Sequence, residues 1–145
     1  MRASTVTIKT EQDIEKLRIS GRLAAQVLEM IGAYIKPGVS TEYLDDICND
    51  YIVNTLQVIP ANVGYHGFTK TTCTSVNEVV CHGIPSPDKV LQDGDILNID
   101  VAVIKDGYFG DTSRMYLVGN VSLEAKKLVE TTYEAMLAGI HTVKP

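Results

Sequence analysis

Hydrophobic positions follow two different periods along this chain. Thr10 and Asp13 have the form of a helix N-cap with an acidic group in the first turn. Behind them Ile14, Leu17, Ala24, Val27, Leu28 and Ile31 recur at helical spacing. Pro37-Gly38 ends that segment. Ser40 is placed to cap a second helix, in which Leu44, Ile47, Cys48, Tyr51, Ile52 and Leu56 form one apolar stripe. Both helices need a sheet to lie on.

The middle of the chain predicts that sheet. After a glycine-containing loop (Val63 to Phe68), the stretch Thr71 to Val76 is rich in strand-forming residues. Asn77-Glu78 reads as a turn, Val79 to Ile84 as extended chain and Pro85 to Asp88 as a loop. Asp93-Gly94 then introduces two long alternating runs, Ile96 to Ile104 and Tyr108 to Val118. The Asp106-Gly107 between them is a strong type I′ hairpin signal. Ser122 opens a last helix carrying Leu128, Ala135, Met136 and Ile140. There is also a faint internal echo: Tyr34-Ile35-Lys36-Pro37 and Thr142-Val143-Lys144-Pro145 each follow a helix. Lys-Pro beyond a helix end is common, but a true repeat would put the start of a second half near Pro145.

Composition narrows the picture. A chain of 145 residues, 45% hydrophobic, is long enough for one domain with its own core. Thirteen basic and eighteen acidic residues give a net charge of −5 without a block of either sign. A nucleic-acid partner is therefore not expected, because it needs clustered Lys and Arg. No run reaches the roughly 18 apolar residues that span a bilayer, and Met1 to Thr10 lack the order of a signal peptide. Cys48, Cys73 and Cys81 are an odd number without a CxxC, read as reduced thiols of a cytoplasmic protein.

The hairpin carries the most informative chemistry. With Asp106-Gly107 as a two-residue loop, Lys105 faces Tyr108. Asp100 then lies opposite Ser113, and Asp111 opposite Ala102. The two aspartates share one face as diagonal neighbours, close enough for their side chains to converge on one ion. A one-residue slip would part them. Beside Ile96, Ile104, Phe109 and Met115, two carboxylates would repel each other and lose hydration, and a divalent cation answers both problems. The plainer alternative is two solvated aspartates, with Asp111 following a bulge at Gly110. His82, just ahead of a loop, is of a residue type suited to proton transfer or hydrogen bonding near neutrality; a structural histidine is the plainer reading there too. The neighbouring Cys81 suggests a Cys-His nucleophile, but on a strand the two would face opposite sides.

Several motifs in order point to one family. Asn77 to Pro85 (NEVVCHGIP), Asp93 to Asp100 (DGDILNID) and Gly110 to Ser113 (GDTS) resemble bacterial type I methionine aminopeptidase. So do Asp13 to Arg18, Lys36 to Thr41 and Gly64 to Gly67, so the resemblance covers essentially the whole chain. It implies an α+β chain, the N-terminal half of a pita-bread fold in which helices cover a curved antiparallel sheet. It also implies removal of the initiator methionine from nascent peptides by water activated at two divalent metal ions (cobalt, manganese, iron or zinc). Asp100 and Asp111 match two metal-ligating aspartates of the family. His82 matches its substrate-contacting catalytic histidine, and Tyr65, Phe68 and Cys73 match its methionine pocket. The family's remaining histidine and two glutamate ligands come from its second half. The expectation is therefore a single truncated catalytic domain over residues 1–145, inactive alone, cytoplasmic, with transient ribosome association and a monomeric full-length form. Asn62 and Phe68 depart from the family's usual pocket residues. Two alternatives stay open, a related aminopeptidase P or prolidase-like hydrolase and a non-catalytic pita-bread binding module. The NEVVCHGIP run weighs against the first, and retention of Asp100, Asp111 and His82 against the second.

Overall fold

The first helix, α1 (Glu11–Ile31), begins where a capping box closes it. The Thr10 hydroxyl accepts from the Asp13 amide and the Asp13 carboxylate accepts from the Thr10 amide, which satisfies two donors that a helix start otherwise leaves free. The computed structural model describes residues 6–144, so the expectation for the first five residues and for Pro145 lies outside the described residues. A short 3-10 turn, Gly32–Tyr34, ends the first helical segment ahead of Pro37. Ser40 caps α2 (Thr41–Asp50), which continues into a wider π-type turn over Tyr51–Thr55. Four strands follow: β1 (Ile59–Pro60), β2 (Thr72–Val76), β3 (Ile96–Lys105) and β4 (Tyr108–Leu117). All pairings are antiparallel, with β3 central, β4 on one side and β2 and β1 end to end on the other.

Alternation along β3 decides which face is core. Leu97, Ile99, Val101 and Val103 are fully buried, and they pack against Ala24, Val27, Leu28 and Ile31 of α1, Leu44 and Cys48 of α2, and Ile52 of the turn that follows it. Burying such side chains contributes roughly 1.5–3 kcal/mol each, so the register cannot slip without turning the core outward. Ile14 departs from the expected stripe and is exposed, while Ser20 is fully buried. Its hydroxyl donates to the Tyr108 carbonyl at 2.9 Å. Here α1 crosses β4 at backbone contact: a Cβ on Gly110 would collide with the Ser20 carbonyl group.

A second buried polar residue lies in the α2 stripe. Asp45 accepts from the Thr71 and Thr72 amides and from the Thr72 hydroxyl at 2.7–3.2 Å, fixing the start of β2. Desolvation nevertheless outweighs these bonds and raises its pKa.

One expectation needs correction. Val79 to Ile84 is not regular extended chain: Asn77 and His82 both take positive φ, and the segment bonds to β2 through Val79 and Gly83. The last helix, α3 (Leu123–Thr142), is capped by Ser122 as expected but buries none of its residues. Leu128, Met136 and Ile140 stay 60%, 49% and 57% exposed, and Met136 lines an open groove with Ala25 and Leu28 of α1. The echo extends to the backbone, since Ile35 and Val143 both leave their helical segments in extended conformation.

The N-terminal cap carries a pH prediction. Asp13 also accepts from the Tyr108 hydroxyl at 2.6 Å; that bond, with those from Thr10, lowers its pKa to about 2. A depressed carboxyl contributes stability above its unfolded value, 3.8, that is lost as pH falls through about 2. Melting temperatures from pH 4 to pH 2 are expected to drop more steeply for the unaltered chain than for Asp13→Asn; equal slopes would refute the link.

Candidate metal and substrate site

The hairpin register is the one expected from Asp106-Gly107. Both loop residues have positive φ, 51° and 82°, as a type I′ turn requires. Asp100 pairs with Ser113 and Asp111 with Ala102, in a ladder unbroken from Ile96–Leu117 to Lys105–Tyr108. No bulge interrupts it at Gly110, whose lack of a side chain serves the contact with α1 instead. The two aspartates therefore share the sheet face that α1 and α2 leave open.

That face is chemically primed for a cation. Asp100 is half-buried, and desolvation, the Asp111 charge and a carboxyl–carboxyl hydrogen bond raise its pKa, while the His82 charge acts the other way. Two carboxyl groups within hydrogen-bonding reach, one of them poorly hydrated, are costly to ionise together. The oxygen-only donor pair suits a hard or borderline divalent ion. Among the described residues no group of three or more His, Cys, Asp and Glu side chains is arranged to hold one ion. The two carboxylates could supply part of a metal's coordination and not the whole of it.

The remaining expected residues gather around the same point. Cys73 pairs directly with Asp100 across β2 and β3. Burial, and then the Asp100 charge, push its thiol up to about 11, so Cys73 is a neutral wall residue and no nucleophile. Tyr65, Phe68, Cys73, His82, Asp100 and Asp111 all line one cleft of about 560 Å³. Asn62 lines it too, and its amide donates to the Thr71 carbonyl at 3.0 Å, tying the pocket loop to the strand. That loop turns through Gly64 and Gly67, both with positive φ, and sets the Tyr65 ring edge-on to His66.

His66, Thr69 and Ile84 also line the cleft. Sequence reading named none of them as site residues; the only signal was that His66 and Ile84 stand within motifs that carried the resemblance. Cys81 and His82 face apart, as expected, but not through strand alternation. His82 has φ 55° and lines the cleft, whereas Cys81 lies on the neighbouring groove. All three cysteines are free thiols, with only Cys81 exposed.

Among the described residues no helix is long and apolar enough to cross a membrane. Comparison with known proteins agrees with the geometry. Methionine aminopeptidase of Haemophilus influenzae is 60% identical over 141 residues, covering 97% of this chain and 53% of that protein. The crystal structure of methionine aminopeptidase from Rickettsia prowazekii superposes with a TM-score of 0.94 at 51% identity, covering 97% of this chain and 56% of its own. An Xaa-Pro dipeptidase from Bacillus anthracis matches at TM-score 0.74 and 24% identity over 90% of this chain and 35% of its own, a likeness of fold alone. The chain spans about half the length of the curated relatives it matches. The model of metallopeptidase family M24 matches residues 15–145. With an antiparallel sheet backed by helices and paired carboxylates on its open face, the chain belongs to metallopeptidase family M24.

Proposed function

We propose that this chain supplies the first half of the catalytic domain of an aminopeptidase that removes N-terminal methionine from nascent peptides. The observation that carries this reading is the convergence of two carboxylates, a histidine and an aromatic-lined pocket in one cleft. Asp100 and Asp111 would hold two divalent ions together with donors from outside this chain. When bound, such ions supply Lewis-acid activation of water and of the scissile carbonyl.

The chain's own residues do the rest. The methionine side chain packs among Tyr65, Phe68 and Cys73, where a thioether gains from aromatic and soft neighbours. His82 donates a hydrogen bond to the reacting peptide and stabilises charge that develops on it. Asn62 and Phe68 tune pocket width and polarity without changing the reaction class. We infer further that the enzyme acts in the cytoplasm in transient contact with ribosomes, and that its full-length form is a monomer. The identity to methionine aminopeptidases, against likeness of fold alone to the dipeptidase, favours this reading over a prolidase-like one.

The 145-residue chain alone is expected to release no methionine from a Met-Ala-Ser peptide, even with excess manganese, cobalt or iron(II). Two carboxylates leave an ion largely hydrated and free to shift against a carbonyl. The same chain joined to the remaining length of its relatives is expected to turn over, and to lose turnover with Asp100→Ala. Turnover by the isolated chain that Asp100→Ala abolishes would overturn the half-site reading. Inactivity of the extended form with metal bound would overturn the aminopeptidase reading.

A further inference from the structure

We propose that Ser75 is a positioning residue for His82, holding its backbone in the left-handed conformation that turns the imidazole into the Asp100–Asp111 cleft. The inference rests on the catalytic reading of His82 and adds the device that aims it. A non-glycine residue at φ 55° is uncommon, and it persists only where its surroundings fix it.

The fixing contacts converge on the next residue. The Thr74 amide donates to the Gly83 carbonyl at 2.8 Å, and the Gly83 amide donates to the Ser75 hydroxyl at 3.1 Å. Gly83 is therefore clasped through both of its backbone polar groups by consecutive residues of β2. The approach is so close that a Cβ on Gly83 would collide with the Thr74 carbonyl, so only glycine permits it. Of the two clasping bonds, one comes from the strand backbone and is present whatever the side chain. The other depends on the hydroxyl of Ser75, a buried residue of β2. Ser75 pairs with Asn98 and so sits one step along the same face from Cys73 and Asp100. The strand that carries a pocket residue opposite the metal aspartate thus also anchors the histidine. Releasing the Gly83 amide would let residues 81–83 relax toward extended chain, swinging the imidazole away from the cleft.

The test uses the 145-residue chain by nuclear magnetic resonance. In the unaltered chain the Gly83 amide should exchange slowly despite lying outside a strand. Ser75→Ala should speed that exchange by about tenfold or more and shift the His82 backbone and ring resonances, while β3 amides keep their protection. Ser75→Thr, which retains the hydroxyl, should restore both. In the extended, active form, Ser75→Ala should lower kcat about tenfold with KM and bound metal unchanged. Gly83 exchange at the rate of a free loop in the unaltered chain would overturn the proposal, even if Ser75→Ala does not fold. So would resonances that Ser75→Ala leaves in place, or a moved His82 with kcat intact. Full turnover by His82→Ala would instead overturn the catalytic reading while leaving the Ser75–Gly83 clasp standing.

Discussion

In a form extended to the length of its relatives, His82→Ala is expected to lower methionine release by about 10²- to 10⁴-fold, the usual worth of a group that moves or shares a proton in the transition state. Metal content should not change, because the metal donors proposed here are Asp100 and Asp111. The imidazole lies near enough for its charge to act on Asp100, and it lines the same cleft as the pocket aromatics. It therefore faces the cleft that both aspartates share. Steady-state kinetics with a parallel metal assay decide the matter. Loss of metal without a separate fall in kcat would make His82 a ligand and remove it from catalysis.

The second large effect concerns the fold beneath the site. Gly110→Ala is expected to destabilise the chain by about 3 kcal/mol, or prevent folding, as overpacking of backbone contacts does. The new methyl group would meet the Ser20 carbonyl and the Gly21 amide of α1, which have no freedom to withdraw. Because Asp111 is the next residue, a displaced β4 also moves a metal carboxylate. Gly21→Ala is the matched control: nothing lies within 4 Å of its Cβ position, and alanine in a helix interior gains about 0.5–1 kcal/mol over glycine. Urea denaturation of both variants tests the pair, and a Gly110→Ala chain as stable as the unaltered one would refute the contact.

Where local chemistry alone dictates structure, the sequence was sufficient. Thr10, Ser40 and Ser122 cap three helices because a side-chain oxygen beside a free amide needs no distant partner. The Asp106-Gly107 turn set the register of twenty residues, and with it the shared face of Asp100 and Asp111. What escaped sequence reading depends on partners far along the chain. Asp45 is buried because Thr71 and Thr72 reach it from β2, and Ser20 because Tyr108 and Gly110 come to it from β4. The residues from Val79 to Ile84 looked extended, yet His82 is left-handed and the next residue, Gly83, bonds to Thr74 and Ser75 of β2, partners that its own stretch of sequence does not name. The last helix was expected from Ser122 onward and is capped there, but its sequence did not show that none of its residues would be buried. His66 and Ile84 carried the resemblance as parts of motifs, and only the folded loop shows that they line the cleft.

Whether Asp100 and Asp111 act together on a divalent cation can be read from a manganese(II) titration of the 145-residue chain, followed by the electron paramagnetic resonance of the free ion. With only part of the coordination in place, the account predicts weak saturable binding, with Kd on the order of 10⁻⁴–10⁻³ M as for loosely built oxygen sites. Asp100→Ala and Asp111→Ala should each remove it. Binding that survives both substitutions, or no binding up to millimolar manganese in a folded chain, would contradict the account.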